Sequence, residues 1–324
     1  MIELDVNILR NLLQDGRISY VELAKKCQVT KNKVWKRCRA MEKKGIITGA
    51  TTQMNFEDFG YAALATLLIS VEAQQIEEAM EFIEKITEIR AHRQYNSVYN
   101  VRAFATLRNL NELDYIKQVI RRKLPTIGLK TYIWMGVRNI PENLNLIGHL
   151  DDNNESSQSN SKKLTCKSSD KSIIDDIDRK ILQELTVDGR VSFTELAEEI
   201  GLSTNTILKR YHKLVENGSI KVSIQIDPKK MGYTSILDFN IAFTTLRGLS
   251  DDIVESFAKI PDIIIITKTS GDYDLQLTAM IRDVEQSFAI QDQIARVHGV
   301  TQIETSSRKI PDKWPTPQQY ISTI

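Results

Sequence analysis

The sequence predicts an α+β protein in which one unit is written twice: a helix-turn-helix, then strand, helix, strand, strand, helix, strand. Three observations predict it. Asp5, Ile8, Leu9, Asp15, Gly16, Arg17, Ser19, Glu22, Leu23 and Ala24 recur as Asp178, Ile181, Leu182, Asp188, Gly189, Arg190, Ser192, Glu195, Leu196 and Ala197, at a constant offset of 173 (178 − 5 = 197 − 24). Ten matches at one offset exceed what shared composition yields, so the chain is an internal duplication. Each copy opens on apolar residues at three- and four-residue spacing, the helical period, and later turns to the period-two alternation of strands.

In the first copy, Leu4, Ile8 and Leu12, with Leu9 and Leu13 beside them, form the apolar stripe of a first helix that Asp15-Gly16 stops. Ser19 is an N-cap, Glu22 completes a capping box, and Val21, Leu23 and Ala24 turn inward on a short second helix. Thr30 caps a third helix that carries Val34, Cys38 and Met41 inward before Gly45 ends it. Three short helices with a tight turn between the last two are the shape of a helix-turn-helix, here residues 1–55. Lys31, Lys33, Lys36, Arg37, Arg39, Lys43 and Lys44 crowd the third helix against a single acid, Glu42. A helix of one sign repels itself, so the bias points to double-stranded DNA, with Lys31, Lys33, Lys36, Arg37 and Arg39 as the contact residues. Trp35, on the same helix, packs at its end or reaches the DNA.

Residues 56–147 change texture. Ala62 to Val71 is a β-prone apolar run, and Ile76, Met80 and Ile83 return to helical spacing. Tyr99, Val101, Ala103, Ala105 and Leu107 alternate with Asn100, Arg102, Thr106 and Arg108, which predicts a strand with one buried face. Leu113, Ile116, Ile120 and Leu124 make another helix and Leu129 to Val137 a last strand, in which Trp134 is a core or interface anchor. That order is the split βαβ, ferredoxin-like arrangement. Residues 148–172, with the run Ser156-Ser157-Gln158-Ser159-Asn160-Ser161, hold too few apolar groups to fold and predict a flexible linker.

The second copy repeats the helix-turn-helix over 173–227, with Ile177, Ile181, Leu182 and Leu185 on its first helix, a Ser192/Glu195 capping box, and Ser203 capping a third helix that holds Ile207 and Leu214. Its charge is lower. Lys209, Arg210 and Lys213 remain, with Thr204, Asn205 and Thr206 at the helix start where base edges are met. The contact set here is Thr204, Asn205, Thr206, Lys209 and Arg210. Residues 228–324 repeat the ferredoxin-like part and add a tail. Ile253, Phe257 and Ile260 lie on a helix, Ile263 to Ile266 in a strand, and Tyr273, Leu275, Leu277, Ala279 and Ile281 alternate with Asp274, Gln276 and Thr278. The loop Gly271-Asp272-Tyr273-Asp274 leads into that strand, where the first copy has Ser97-Val98-Tyr99-Asn100. Alternation points Asp272 and Asp274 apart, which favours hydrogen bonding in a turn or to a ligand over acid-base chemistry. The tail, with Trp314, Pro315 and Pro317, is expected to fold over a neighbouring surface.

Composition bounds the rest. A length of 324 residues, 41% hydrophobic and 26% charged, describes an ordinary globular chain of about two domains or more. The net charge of +1 excludes a polyelectrolyte, so nucleic-acid binding has to come from local clustering. Cys27, Cys38 and Cys166 lack CxxC spacing and the four histidines are scattered, which supports neither a disulfide framework nor a metal site. No cofactor is expected. The N-terminus has no signal pattern, and no apolar run approaches the roughly 20 residues that span a bilayer, so a cytoplasmic location without membrane contact is expected.

The motifs D-x-x-I-L (Asp5 to Leu9 and Asp178 to Leu182), D-G-R (Asp15 to Arg17 and Asp188 to Arg190), E-L-A in both copies, and Gly271-Asp272-Tyr273-Asp274 carry a resemblance. Each half resembles the leucine-responsive regulatory protein family, Lrp/AsnC, and the chain is similar to a tandem of two such units. The resemblance implies a winged helix-turn-helix that binds DNA, followed by a ferredoxin-like module that mediates oligomers and senses an amino acid or other small metabolite. It makes Gly271, Asp272, Tyr273 and Asp274 the candidate effector residues, of which the first copy keeps Tyr99 alone. The two halves are expected to form a pseudo-dimer within one chain, with recognition helices meeting major-groove faces about 34 Å apart, and the chain to form homo-oligomers. The function expected is that of a transcription regulator, not an enzyme, with no catalytic residues.

Two other functions fit the same architecture. Siroheme decarboxylases are built from this two-part unit, sometimes in tandem, and His92 and Arg93 followed by Tyr99-Asn100 resemble that group, because tetrapyrrole carboxylates need cationic and proton-donating partners. The third is a metabolite-sensing or scaffold protein without DNA binding, to which the weaker charge of the second copy points.

Overall fold

The computed structural model describes residues 1–86, 89–146, 174–244 and 250–316; the segment 148–172 read as a linker lies outside them, as does Pro317 of the tail. Their compact units cut across the duplication. One gathers the described residues of Met1–Asp58, Asn145–Tyr233 and Pro311–Ile321, the other those of Phe59–Leu144 and Thr234–Ile310, so each unit takes a piece of both copies.

The first unit holds α1 (Glu3–Gln14), α2 (Tyr20–Lys26), α3 (Lys31–Lys43) and β1 (Ile47–Met54). Its second-copy counterparts are α6 (Asp176–Val187), α7 (Phe193–Ile200), α8 (Thr204–Glu216) and β6 (Ile220–Ile226). Helix α1 buries Val6, Ile8, Leu9, Leu12 and Leu13, the stripe read from the sequence. Ser19 Oγ accepts from Glu22 N at 3.1 Å, but the reciprocal half of the capping box is formed in the second copy, where Ser192 N donates to Glu195 Oε2 at 3.4 Å. Val21, expected inward, is 49% exposed, because a seven-residue helix presents one narrow stripe and Leu23 and Ala24 fill it.

The two copies interlock through the twice-written D-G-R. Strand β1 pairs antiparallel with β6, from Ile47↔Ile226 to Met54↔Ile220. Gly16 N donates to Val222 O at 2.8 Å and Gly189 N to Ala50 O at 3.0 Å, each glycine docking on the other copy's strand. A Cβ on Gly16 would lie 2.8 Å from Ser223 C, and one on Gly189 2.9 Å from Thr51 N, so this approach needs glycine. The arginine beside each glycine crosses the same seam: Arg17 donates to Gly189 O at 2.8 Å and Val191 O at 2.6 Å, and Arg190 to Gly16 O at 2.7 Å. Arg17 also lies 4.2 Å over the Phe193 ring. The tail settles on β6, where Ile226 and Trp314 exchange backbone hydrogen bonds of 2.8 and 2.9 Å and Trp314 is buried.

The second unit holds β2 (Ala63–Ser70), α4 (Ile76–Glu84), β3 (Ile89–Arg93), β4 (Val101–Leu107), α5 (Leu110–Lys123) and β5 (Gly128–Asn139). From the second copy come β7 (Ser235–Phe243), α9 (Asp251–Ala258), β8 (Ile263–Ser270), β9 (Leu275–Ile281), α10 (Val284–Ala295) and β10 (Val300–Lys309). They form one eight-stranded antiparallel sheet, ordered β10-β7-β9-β8-β5-β2-β4-β3. The copies join where β5 pairs with β8. The edges meet as well: Tyr95 N donates to Ser307 O at 2.8 Å and Ser307 N to Tyr95 O at 3.0 Å, so the sheet closes on itself.

Closure changes one expectation. Helices pack on one face of the sheet, over Leu67, Val101 and Ala103 in the first copy and Phe239, Leu277 and Ala279 in the second. The opposite, polar face of β4 and β9 was expected to meet water, yet Arg102 is 0% exposed and Gln276 and Thr278 are buried, because the closed sheet folds that face inward. Asp238 gathers it. Its Oδ2 lies 3.0 Å from Arg102 Nη1 and 2.9 Å from Arg308 Nε, and its Oδ1 accepts from Thr278 Oγ1 at 2.7 Å. Trp134 anchors this interior, donating from Nε1 to Thr66 Oγ1 at 2.8 Å with Phe104 edge-on at 5.7 Å.

Candidate nucleic-acid interface and effector loop

Thr30 Oγ1 accepts from Lys33 N at 3.3 Å and starts α3, while Val34, Cys38 and Met41 turn into the core at three- and four-residue spacing. That spacing leaves Lys31, Lys33, Lys36, Arg39 and Lys43 exposed. Among the described residues Lys31, Lys33 and Lys36 form no ion pair, and Arg39 Nη1 reaches Glu42 Oε2 at 2.8 Å. Trp35 stands 45% exposed among them, with Arg39 Cζ 5.9 Å from its ring. Beneath, burial pushes the Cys38 thiol up to about 11, so it is a protonated core group.

Arg37 does not join that face. Its Nε donates to Asp5 Oδ1 at 2.7 Å and its Nη2 to Asp5 Oδ2, so a two-toothed ion pair ties α3 to the buried Asp5 of α1. Arg210 repeats this, its Nη1 meeting Asp178 Oδ1 at 2.9 Å and Asp175 Oδ2 at 2.7 Å. Both arginines, read from the sequence as DNA contacts, are engaged here with acids at or near the first helix of their own copy, Asp5 for Arg37 and Asp175 and Asp178 for Arg210. A signal for this was present: 5 + 173 is 178 and 37 + 173 is 210, so acid and base are duplicated together. On α8, Asn205 and Lys209 are exposed and Thr204 half-buried, while the Thr206 hydroxyl is hydrogen-bonded to Ser203 Oγ at 2.8 Å.

The loop Gly271–Asp274 lies where the copies join. Gly271 has φ 146°, and a Cβ there would come within 2.9 Å of Tyr132 Cδ1. Asp272 pairs with Lys130 Nζ at 3.1 Å, and Tyr273 donates its hydroxyl to the Glu304 carboxylate. Asp274 Oδ2 accepts from Phe243 N at 2.8 Å, a turn role that alternation favoured. The Lys130 ammonium stands 5.7 Å from the Tyr99 ring and 5.8 Å from that of Tyr273, whose ring is 5.7 Å from Tyr132. Burial raises the Tyr132 and Tyr273 phenols, so both remain proton donors at neutral pH. The surroundings of this loop therefore come from both copies: Tyr99, Lys130 and Tyr132 from the first, Glu304 from the second. A reading of the second copy alone missed Lys130 and Tyr132, because β-sheet pairing between copies leaves no mark in local sequence.

Among the described residues no three His, Cys, Asp or Glu side chains gather as a metal site, and no helix is long and apolar enough to cross a membrane.

Residues 174–215 match an AsnC-type helix-turn-helix domain, residues 3–48 a winged helix-turn-helix DNA-binding domain, and residues 241–307 an Lrp/AsnC ligand binding domain. An uncharacterised HTH-type transcriptional regulator of Pyrococcus abyssi is 32% identical over 143 residues, which is 44% of this chain and 89% of that protein. HTH-type transcriptional regulator FL11 of Pyrococcus furiosus is 33% identical over 129 residues, 40% of this chain and 84% of its own length. Among solved structures, the siroheme decarboxylase NirDL superposes with a TM-score of 0.65 at 12% identity, covering 99% of this chain and 95% of its own, a likeness of fold.

Proposed function

The chain belongs to the Lrp/AsnC family of helix-turn-helix transcription regulators, and from that premise we propose that it binds double-stranded DNA asymmetrically, chiefly through α3 of its first copy. The observation that carries this is the exposed row Lys31, Lys33 and Lys36, which no acid neutralises among the described residues. Lysines so placed release counterions from DNA phosphates. The antiparallel pair β1/β6 relates α3 and α8 as the two halves of a dimer within one chain. In this arrangement Arg39 adds a further cation, and α8 presents Thr204, Asn205 and Lys209 to base edges with less charge behind them. The second unit is the sensing and oligomerising part, with a small metabolite such as an amino acid held near Gly271, Asp272, Tyr273 and Asp274. The protein works in the cytoplasm and without catalysis.

A salt titration of DNA affinity tests it. Replacing Lys33 and Lys36 together by Ala should weaken binding and lower the slope of log affinity against log salt by about 2, roughly one per phosphate contact. Arg37→Ala should instead lower stability, since it strands the buried Asp5. An unchanged slope in the double variant sinks the reading. The fold shared with NirDL carries no substrate at 12% identity, and siroheme added to the protein should show no absorbance change.

A further inference from the structure

Duplication makes the two seams of the closed sheet equivalent in principle, and they differ. At one, β5 pairs with β8 over six residue pairs, from Ile133↔Ser270 to Asn139↔Ile265. At the other, the backbone bridge among the described residues is Tyr95↔Ser307, just past the end of β3, joined by side-chain bonds from Gln94 to Ser306 at 2.9 Å and from Asn96 to Ser307 at 3.2 Å. Strand β10 ends at Lys309, and Pro311 soon after has no N–H with which to extend a ladder. The unpaired stretch opens into a cavity of about 250 Å³ lined by His92, Arg93, Tyr95, Arg308, Lys309 and, from α4, Glu77.

Charge there is out of balance. Arg93 pairs with Glu77 at 3.0 Å and Arg308 with Asp238 at 2.9 Å, but Asp238 also serves Arg102. Of the side chains that line the cavity three are cations, Arg93, Arg308 and Lys309, and one is a carboxylate, Glu77; Arg102 lies behind them and shares Asp238 with Arg308. Arg102 is 0% exposed, and its Nε and Nη2 have no hydrogen-bond partner among the described residues. A wall with three cations to one carboxylate, backed by a buried guanidinium, favours an anionic guest. His92, paired across strands with Arg102, lines the cavity wall at its exposed edge; desolvation and then Arg308 and Arg102 lower its pKa, so it adds no competing charge.

We propose that this open seam binds a small carboxylic acid, its carboxylate paired with Arg308 and Lys309 in front of the buried charge of Arg102. Met80 and Ala91 complete the wall and suit a short hydrocarbon chain better than inorganic phosphate. The volume lies below the roughly 300–1,000 Å³ of pockets for drug-sized ligands, which limits the guest to a few carbons. The site is separate from α3 and from Gly271–Asp274, so it stands whether or not the DNA reading does.

Calorimetric titration of the full chain with succinate, succinamide and phosphate tests the assignment. Succinate should bind at one site per chain, and succinamide, which lacks the charge, should not. Lys309→Glu alters an exposed side chain, leaves the fold intact, and should weaken succinate about tenfold or more, the worth of one charge-assisted contact. Arg102→Met, which removes the charge behind the wall, should weaken binding in protein shown by circular dichroism to be folded; if it does not fold, Lys309→Glu carries the decision. No saturable heat with millimolar succinate, tighter binding of phosphate than of succinate, or full affinity in Lys309→Glu would each overturn it.

Discussion

Asp238 shows at one residue what the closed sheet demands. Burial alone would push its carboxyl up, but Arg102 and Arg308 outweigh burial and hold it down at about 2. A folded pKa below the unfolded value of about 4 means that the stabilisation is fully present above pH 4 and lost as pH falls toward 2. Asp238→Asn keeps the shape and removes the charge, leaving two guanidiniums buried together, so it should cost about 3–5 kcal/mol at pH 7. Urea unfolding checks this. The gap to wild type should narrow as pH drops from 4 to 2, and a gap independent of pH would assign the loss to packing instead. Nothing in the sequence marked Asp238 or Arg102, since alternation in β4 reads the same whether its polar face meets water or a second layer of the same sheet.

At the scale of elements, the D-G-R turn is a clasp between copies. Its glycines have to touch the opposite strand, and its arginines are spent on opposite carbonyls. Gly189→Ala places a methyl 2.9 Å from Thr51 N, a backbone atom that cannot turn aside as a side chain can. It should destabilise by about 1–3 kcal/mol, the usual cost of overpacking. Thermal unfolding measures it, and wild-type stability in Gly189→Ala would show that the turn has room to spare. The sequence made these residues conspicuous by repeating them. It gave no hint of their partner, because a turn of three residues carries the same local signals whether it faces water or another copy. Helix α3 was legible almost throughout: its cap, its inward stripe and its exposed lysines followed from spacing, and Arg37 escaped because its acid lies 32 residues earlier on another helix.

At the scale of the whole molecule, strand pairing holds the copies together in both compact units, β1 with β6 in one and β5 with β8 in the other, where Tyr95 and Ser307 add a bridge. Cutting the chain at a protease site placed between 148 and 172 should therefore leave the halves associated. Gel filtration under native conditions should return one peak holding both fragments, and two separate peaks would contradict an intrachain pseudo-dimer. Asymmetry follows from the same fact. A fused pair can let its helices diverge, so the positions of Lys31, Lys33 and Arg39 in α3 are taken in α8 by Thr204, Thr206 and His212, a divergence that no symmetric homodimer permits.

Local signals, carried by periods of 3.6 and 2 and by caps within a few residues, determined the helices, most strands, the duplication and the basic face of α3. Tertiary structure alone decided which atoms those elements meet: that D-G-R clasps the other copy, that Arg37 and Arg210 tie their helices to acids of another, that the loop Gly271–Asp274 is bordered by Lys130 and Tyr132, and that β3 and β10 part beside an unbalanced group of cations. Each of these depends on how residues far apart in the chain are placed against one another, and hydrophobic periodicity records which side of an element is buried, not what buries it.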